Sequence, residues 1–434
     1  MNTDDTISVF RTFFRERGHQ LITGSSLLPP PGDPVMFTSA GMHPLTPYLT
    51  GRPHPLGRRL AGAQRCLRTT DLDEVGDFSH LTVFQMLGSW SLGDYDGPRS
   101  HRWGVELLCD RLGLPRELLY ATVFGGDDQV GPDTTAERTW TELGLPTERL
   151  GPEDNWWSNG PTGPCGPDTE IHVWTGDGPP SGSPSTDDRW LELWNHVAMR
   201  YERHPDGSLT PLRQPSIDTG MGLERLMMVS QRVPSVYQTD LFTPWLSELT
   251  ALWRPGPRPL RVLTDHLRSA IVVIGDGVRP ASTGRGYVLR RLLRRALTAL
   301  WQGDGGDSPT LGDLPADLVL DTADRFEQVT EPLVVTGVLL TEERKYRALI
   351  SRGRPLLDRL YPSGQLTDKD YEFLRDTHGL SRDLVTELLN GHDGTSDTGR
   401  SASLLSRSGR GYEGRDGGQS ACWPGDDPQR SERQ

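Results

Sequence analysis

Lysine is nearly missing from this chain of 434 residues: Lys345 and Lys369 are the only two, and the other 44 of the 46 basic residues are arginine. A preference so uniform follows from coding composition as readily as from function, so arginine placement, not arginine abundance, bears on chemistry. Cysteine is scarce as well. Cys66, Cys109, Cys165 and Cys422 form no CxxC pair and the eleven histidines no HxxxH; neither a disulfide framework nor a structural zinc site is indicated, and no zinc is expected. No apolar run approaches the roughly 20 residues of a membrane span. The N-terminal Met1–Asp5 is acidic rather than basic and then apolar, so the expected setting is the cytoplasm, with no membrane partner. Cations are outnumbered, 46 to 59, giving a net charge of −13. That argues against indiscriminate nucleic-acid binding and leaves room for a local basic face.

What is present is enough for two or three domains with sizeable cores. Asp4 or Asp5 is suited to cap a first helix bearing Ile7, Phe10, Phe13 and Phe14, ended by Gly18. Val35–Thr38 reads as a strand. Arg58–Arg68 and His80–Trp90 read as a long hairpin joined by the acidic segment Thr69–Gly76. Helix is expected over His101–Leu112, strand over Leu119–Phe124, helix over Thr134–Leu143 and strand over Trp190–Tyr201, while Asn155–Thr169 carries too many Gly and Pro for either. After Gly256 helical periodicity takes over, placing a boundary near 250: residues 1–250 form one domain, 251–391 a helical one, and 392–434, rich in Gly, Ser, Asp and Arg, a disordered tail.

The stretch Pro215–Arg225 is the most informative. It reads as strand, glycine turn and helix, with Gly220 and Gly222 leaving room for a ligand and the helix start offering free N–H groups. Arg225 adds a planar cation suited to phosphate, and Asp218 a carboxylate suited to an ammonium group. Without other context, an ordinary turn beside a solvated Glu224/Arg225 pair is the commoner explanation. Farther on, Gly286–Trp301 sets Arg290, Arg291, Arg294 and Arg295 on one side of a helix, as a solvated face or a grip on a phosphate backbone.

In order along the chain, Phe37–Met42, Gln64–Arg68, Phe84–Gly88, Thr162–Pro167, Leu193–Asn195 and Asp218–Arg225, continued by Asp265–Ser269, Arg285–Arg291 and Asp376–Leu380, resemble the alanyl-tRNA synthetase family of class II over about residues 5 to 390. The resemblance implies an α+β fold, an antiparallel sheet flanked by helices and followed by a helical tRNA-recognition domain. It implies ATP, Mg²⁺, L-alanine and tRNA as cofactors and partners. By the same resemblance, Arg68 would hold the α-phosphate and Arg225 the γ-phosphate, with Gly222 beside the nucleotide and Phe84 stacked on adenine; without it, Phe84 reads as a core residue. Met42, Trp157 and Val197 would wall the side-chain pocket, with Gly220 at its floor and Asp218 on the α-amino group. Glu192 would be a ligand for Mg²⁺, and Arg290, Arg291, Arg294, Arg295 and Asp376 would face the acceptor.

The sequence also departs from the family. The segment after Arg68 is shorter, Gln85 replaces a glutamate, Ser89 an asparagine, Asp168 a cysteine, and Gly284 an asparagine implicated in reading the acceptor stem. The family's editing and oligomerisation regions have no counterpart in this sequence. Three readings remain open: an alanine-tRNA ligase, an enzyme passing activated alanine to a non-tRNA acceptor such as a small metabolite or a carrier with weak or no tRNA charging, and a non-catalytic paralogue that binds alanine or tRNA.

Overall fold

The computed structural model describes residues 1–29, 35–301, 309–362, 364–380 and 382–390; the expected tail, 392–434, lies outside the described residues. Among the described residues nine strands form one sheet: β1 (Gln20–Ile22), β2 (Arg59–Leu67), β3 (Val83–Ser91), β4 (Leu119–Phe124), β5 (Thr147–Leu150), β6 (Trp156–Ser158), β7 (Gly163–Trp174), β8 (Trp190–Arg203) and β9 (Leu209–Gly222). Their order is β1-β2-β3-β9-β8-β7-β4-β5, with β6 on β7. The body of the sheet, the strands from β2 to β4, runs antiparallel as expected, and parallel pairs at its two edges, β1 on β2 and β4 on β5, make the whole sheet mixed. Both parallel edges are reached through helix-containing crossovers, α2 (Thr46–Leu49) for the first and α4 (Thr134–Glu142) for the second, as parallel pairing requires.

The helix α1 (Thr3–Glu16) buries Phe10, Phe13 and Phe14, and its cap is Asn2, whose side chain accepts from Asp5 N, rather than Asp4 or Asp5. The helix expected from His101 begins earlier. Asp96 caps α3 (Gly97–Val105), and a wider π-helical turn, Glu106–Arg111, completes it. Val35–Thr38 is not a strand; the Thr38 backbone donates to Leu27 O and accepts from Leu67 N, both at 2.9 Å, and its hydroxyl donates to Ser26 O at 3.3 Å. The Gly/Pro-rich segment after the short α5 (Pro152–Asn155) is mostly strand, β6 and the start of β7 joined by a bend at 159–162. Pro167 is accommodated because pairing with β8 shifts register between Cys165 and Asp168. Gly166 is required there: a Cβ would stand 1.9 Å from Ala198 O on β8.

Among the described residues two compact units emerge, one of residues 1–309 and 313–336, the other of residues 310–312 and 337–390. Sequence character changes near 250, but α6 (Leu223–Ser230), α7 (Thr243–Trp253), α8 (Pro257–Gly275), α9 (Gly284–Trp301) and α10 (Ala316–Arg325) all belong to the first unit. Buried polar bonds tie α8 to the sheet. Asp265 accepts from Thr82 N and Oγ1 at 2.8 and 2.6 Å, and Arg268 pairs with Glu224 at 2.9 Å. The second unit holds most of α11 (Pro332–Leu360), α12 (Asp368–His378) and α13 (Arg382–Asn390). Thr367 and Asp370 form a capping box that starts α12, and Gly379 at φ 70° ends it.

Candidate active site

Side chains alternate across a sheet, so residues two apart share a face. On β3 and β9 the register sets Met86 opposite Gly222, Gly88 opposite Gly220 and Trp90 opposite Asp218. On β8 it sets Asn195 opposite Gly220 and Val197 opposite Asp218. These residues therefore share one face. The glycines on it give close approach rather than turn geometry, correcting the expected strand-turn-helix: β9 runs through Gly222, which is extended at φ −67° and ψ 115° and directly caps α6. A Cβ at Gly220 would lie 2.6 Å from Met86 Sδ, and one at Gly88 2.3 Å from the Trp90 ring, whereas Gly222 meets nothing closer than Arg225 at 3.9 Å.

Over that face lies a cleft of about 530 Å³ lined by Arg68, Phe84, Glu192, Gly220, Gly222 and Arg225, with His80 and Glu224 among its other walls. Arg68, just past the end of β2, has its guanidinium carbon 5.2 Å from the Phe84 ring centroid and its Nε 3.4 Å from Ser39 O. Arg225 donates from one Nη to both Glu192 O and Glu192 Oε2 at 3.0 Å. Burial raises the Glu192 carboxyl, but the nearby Arg225 and Arg68 outweigh it and hold the pKa below the usual value. The cleft thus sets Arg68 and Arg225 beside Glu192, while the Glu224 carboxylate on its wall is neutralised by Arg268, a setting for an anion.

The residues expected around an amino acid gather beside it. Met42, Trp90 and Val197 are buried in one apolar cluster, and the partly buried Trp157 packs against it. Asp218 is buried under these walls and accepts from Trp90 Nε1 at 2.7 Å. Burial, only partly offset by that bond, pushes its pKa up to about 7. Such a group is primed for a cation that would restore its charge. Trp90 was not foreseen. Its signal lay in the period of two that links it to Phe84, Met86 and Gly88. A second unforeseen group surrounds Asn195, whose Nδ2 reaches Asp168 Oδ2 at 3.1 Å and Glu170 Oε1 at 3.3 Å; burial pushes Asp168 up to about 7 and Glu170 well above its usual value.

A model of the class II (A) tRNA synthetases matches residues 7–408. The chain belongs to that family, the alanyl class II tRNA synthetases. An alanine–tRNA ligase of Treponema pallidum is 40% identical over 89% of this chain and 68% of its own length, and one of Treponema denticola 44% identical over 68% and 53%. The chain thus spans between about half and two thirds of these curated relatives. The solved histidyl-tRNA synthetase of S. aureus aligns at 12% identity over 57% of this chain and 75% of that one, with a TM-score of 0.33, too slight a likeness to argue from.

Among the described residues no three His, Cys, Asp or Glu side chains converge as a metal cage. Mg²⁺ in class II synthetases needs none, since it is held chiefly by phosphates with one or two carboxylates, and Glu192 at the cleft fits that limited part. On α9, Arg291 and Arg295 each donate from Nη to Asp73 Oδ1 at 2.8 Å, Arg290 lies 5.2 Å from the Tyr287 ring, and Arg294 is half-buried on the same side. Asp376 lies in the second unit, paired with Arg375 at 2.8 Å.

Proposed function

We propose that this protein activates alanine with ATP and passes the alanyl group to tRNA. The observation that carries the reading is the single sheet face on which Arg68, Phe84, Glu192 and Arg225 line a cleft while Asp218, Met42, Trp157 and Val197 gather beside it. Asp218 holds the alanine ammonium and the apolar walls admit its methyl, a pocket that separates alanine from glycine by only about 1 to 3 kcal/mol. The alanine carboxylate attacks the α-phosphorus of ATP, forming the mixed anhydride and releasing pyrophosphate. Arg68 meets the charge that grows on the α-phosphate and Arg225 the γ-phosphate, while Phe84 stacks on the base. When bound, Mg²⁺ neutralises the phosphates, with Glu192 as its protein ligand. A hydroxyl at the tRNA end then attacks the alanyl carbonyl and releases AMP.

Alanine-dependent exchange of pyrophosphate into ATP is expected in wild type, lowered roughly 100- to 1000-fold in Arg68→Ala and abolished in Asp218→Asn. Labelled alanine is expected on tRNA when total tRNA is added. One observation favours a second reading, transfer to a smaller acceptor. Gly284 sits at φ 58° with open space where a Cβ would stand, so the start of α9 offers no side chain there to read a base pair. Exchange without charging would decide for it, and no exchange in a folded sample would overturn both.

A further inference from the structure

Asp73 closes the short turn Thr70–Asp73, in the shortened segment after Arg68. Its side chain is 68% exposed, yet its Oδ1 accepts from Arg291 and Arg295 together, both at 2.8 Å. Two guanidinium groups one helical turn apart and sharing one oxygen make the arrangement that a phosphate oxygen takes between two arginines. Arg295 is held in place from behind. Its Nε donates to His266 Nε2 at 3.1 Å, and His266 Nδ1 lies 2.9 Å from Asp265 Oδ2. Arginine Nε is always a donor, so His266 must accept at Nε2 and carry its hydrogen on Nδ1, donated to Asp265. Asp265 and His266 are fully buried, and Asp265 is anchored in turn by Thr82 N and Oγ1. One half of the fork is therefore rigid, while its occupant is a solvent-exposed carboxylate on a short turn.

We propose that Arg291 and Arg295 form a single phosphate fork which, in the free protein, is filled by Asp73 as a displaceable stand-in, so that RNA must evict this carboxylate to bind. The inference rests on the tRNA reading and adds to it a built-in competitor. Exposed ion pairs are worth about 0.2 to 1 kcal/mol each, weak enough to yield to a backbone phosphodiester, which matches the carboxylate in charge but arrives in a row of phosphates whose binding releases counterions. Asp73 therefore tunes affinity without closing the site.

The test is binding of a fluorescent acceptor-stem RNA hairpin, followed by anisotropy at one fixed salt concentration, to wild type, Asp73→Asn, Arg291→Ala and the double variant. The expected result is roughly three- to tenfold tighter binding by Asp73→Asn, with the gain gone when Arg291 is also alanine. That loss separates occupancy of the fork from a general drop in negative charge, which would persist in the double variant. Unchanged or weaker binding by Asp73→Asn, alongside reduced binding by Arg291→Ala, overturns the competitor and leaves the tRNA reading standing. A gain that survives in the double variant also overturns it. If no variant binds the hairpin while alanine-dependent exchange is intact, the competitor and the tRNA reading both fall.

Discussion

Asp218 is poised between two charge states. Its carboxyl is buried beside Val197 and Trp90 with one hydrogen bond, and its pKa stands at about 7 against 3.8 for an ordinary aspartate. A carboxylate raised on folding contributes stability that is fully present below pH 3.8 and is lost as pH rises through about 7. An alanine ammonium reverses the cause, because it favours the ionised form. Alanine should therefore bind with release of a proton below pH 7, so KM for alanine in pyrophosphate exchange should fall about tenfold per pH unit up to 7 and then level. A KM flat from about pH 5.5 to 8.5 would remove Asp218 from amine binding. Alanine should also raise the melting temperature more at pH 8 than at pH 6. The same alternation that set Asp218 facing Trp90 explains which departures from the family lie off the cleft. Ser89 hydrogen-bonds Thr219 across the other face at 2.8 Å, and Gln85 Nε2 donates to Arg325 O at 3.0 Å.

At the scale of elements, the join of α6 to α8 is the one that sets the site. Arg268 on α8 is buried; it donates to Glu224 on α6 at 2.9 Å, and its guanidinium carbon lies 4.7 Å from the Phe242 ring and 4.8 Å from Phe326. Glu224 accepts from Gln85 N as well, joining α6 and α8 to β3. Glu224 is one residue before Arg225, so this clamp fixes where α6 starts and where Arg225 points. Truncating Arg268 leaves a buried carboxylate without its cation, which costs about 3 to 5 kcal/mol. Chemical denaturation of Arg268→Ala should show that loss, whereas Arg268→Met paired with Glu224→Gln should recover much of it. A loss below about 1 kcal/mol in Arg268→Ala would show the pair to be replaceable by solvent.

For the whole molecule, a net charge of −13 surrounds one arginine-bearing face on α9. Binding there is by local charge against an unfavourable global field, so it should be sensitive to salt. With three to four phosphates neutralised, hairpin affinity should fall roughly 40- to 150-fold as salt rises from about 50 to about 200 mM. A shallow dependence would mean that this face is a solvated surface and not a grip.

Local chemistry was enough to announce the pieces. The hairpin of β2 and β3, β4, the helices after Gly256 and the types of residue suited to phosphate and ammonium were legible, because periodicity and side-chain chemistry are properties of neighbours in sequence. Asn155–Thr169 was not, since whether a Gly/Pro-rich segment becomes a strand depends on a partner that accepts a proline such as Pro167 at a bulge and a glycine under a carbonyl, as β8 does for Gly166. Nor could sequence alone show that Gly220 and Gly222 lie within a strand, that Trp90 holds Asp218, or that Asp73 sits between Arg291 and Arg295. Those facts are long-range. They belong to the register of strands far apart in the chain and to the docking of α8 and α9 on the sheet, and only tertiary packing brings such groups within bonding distance.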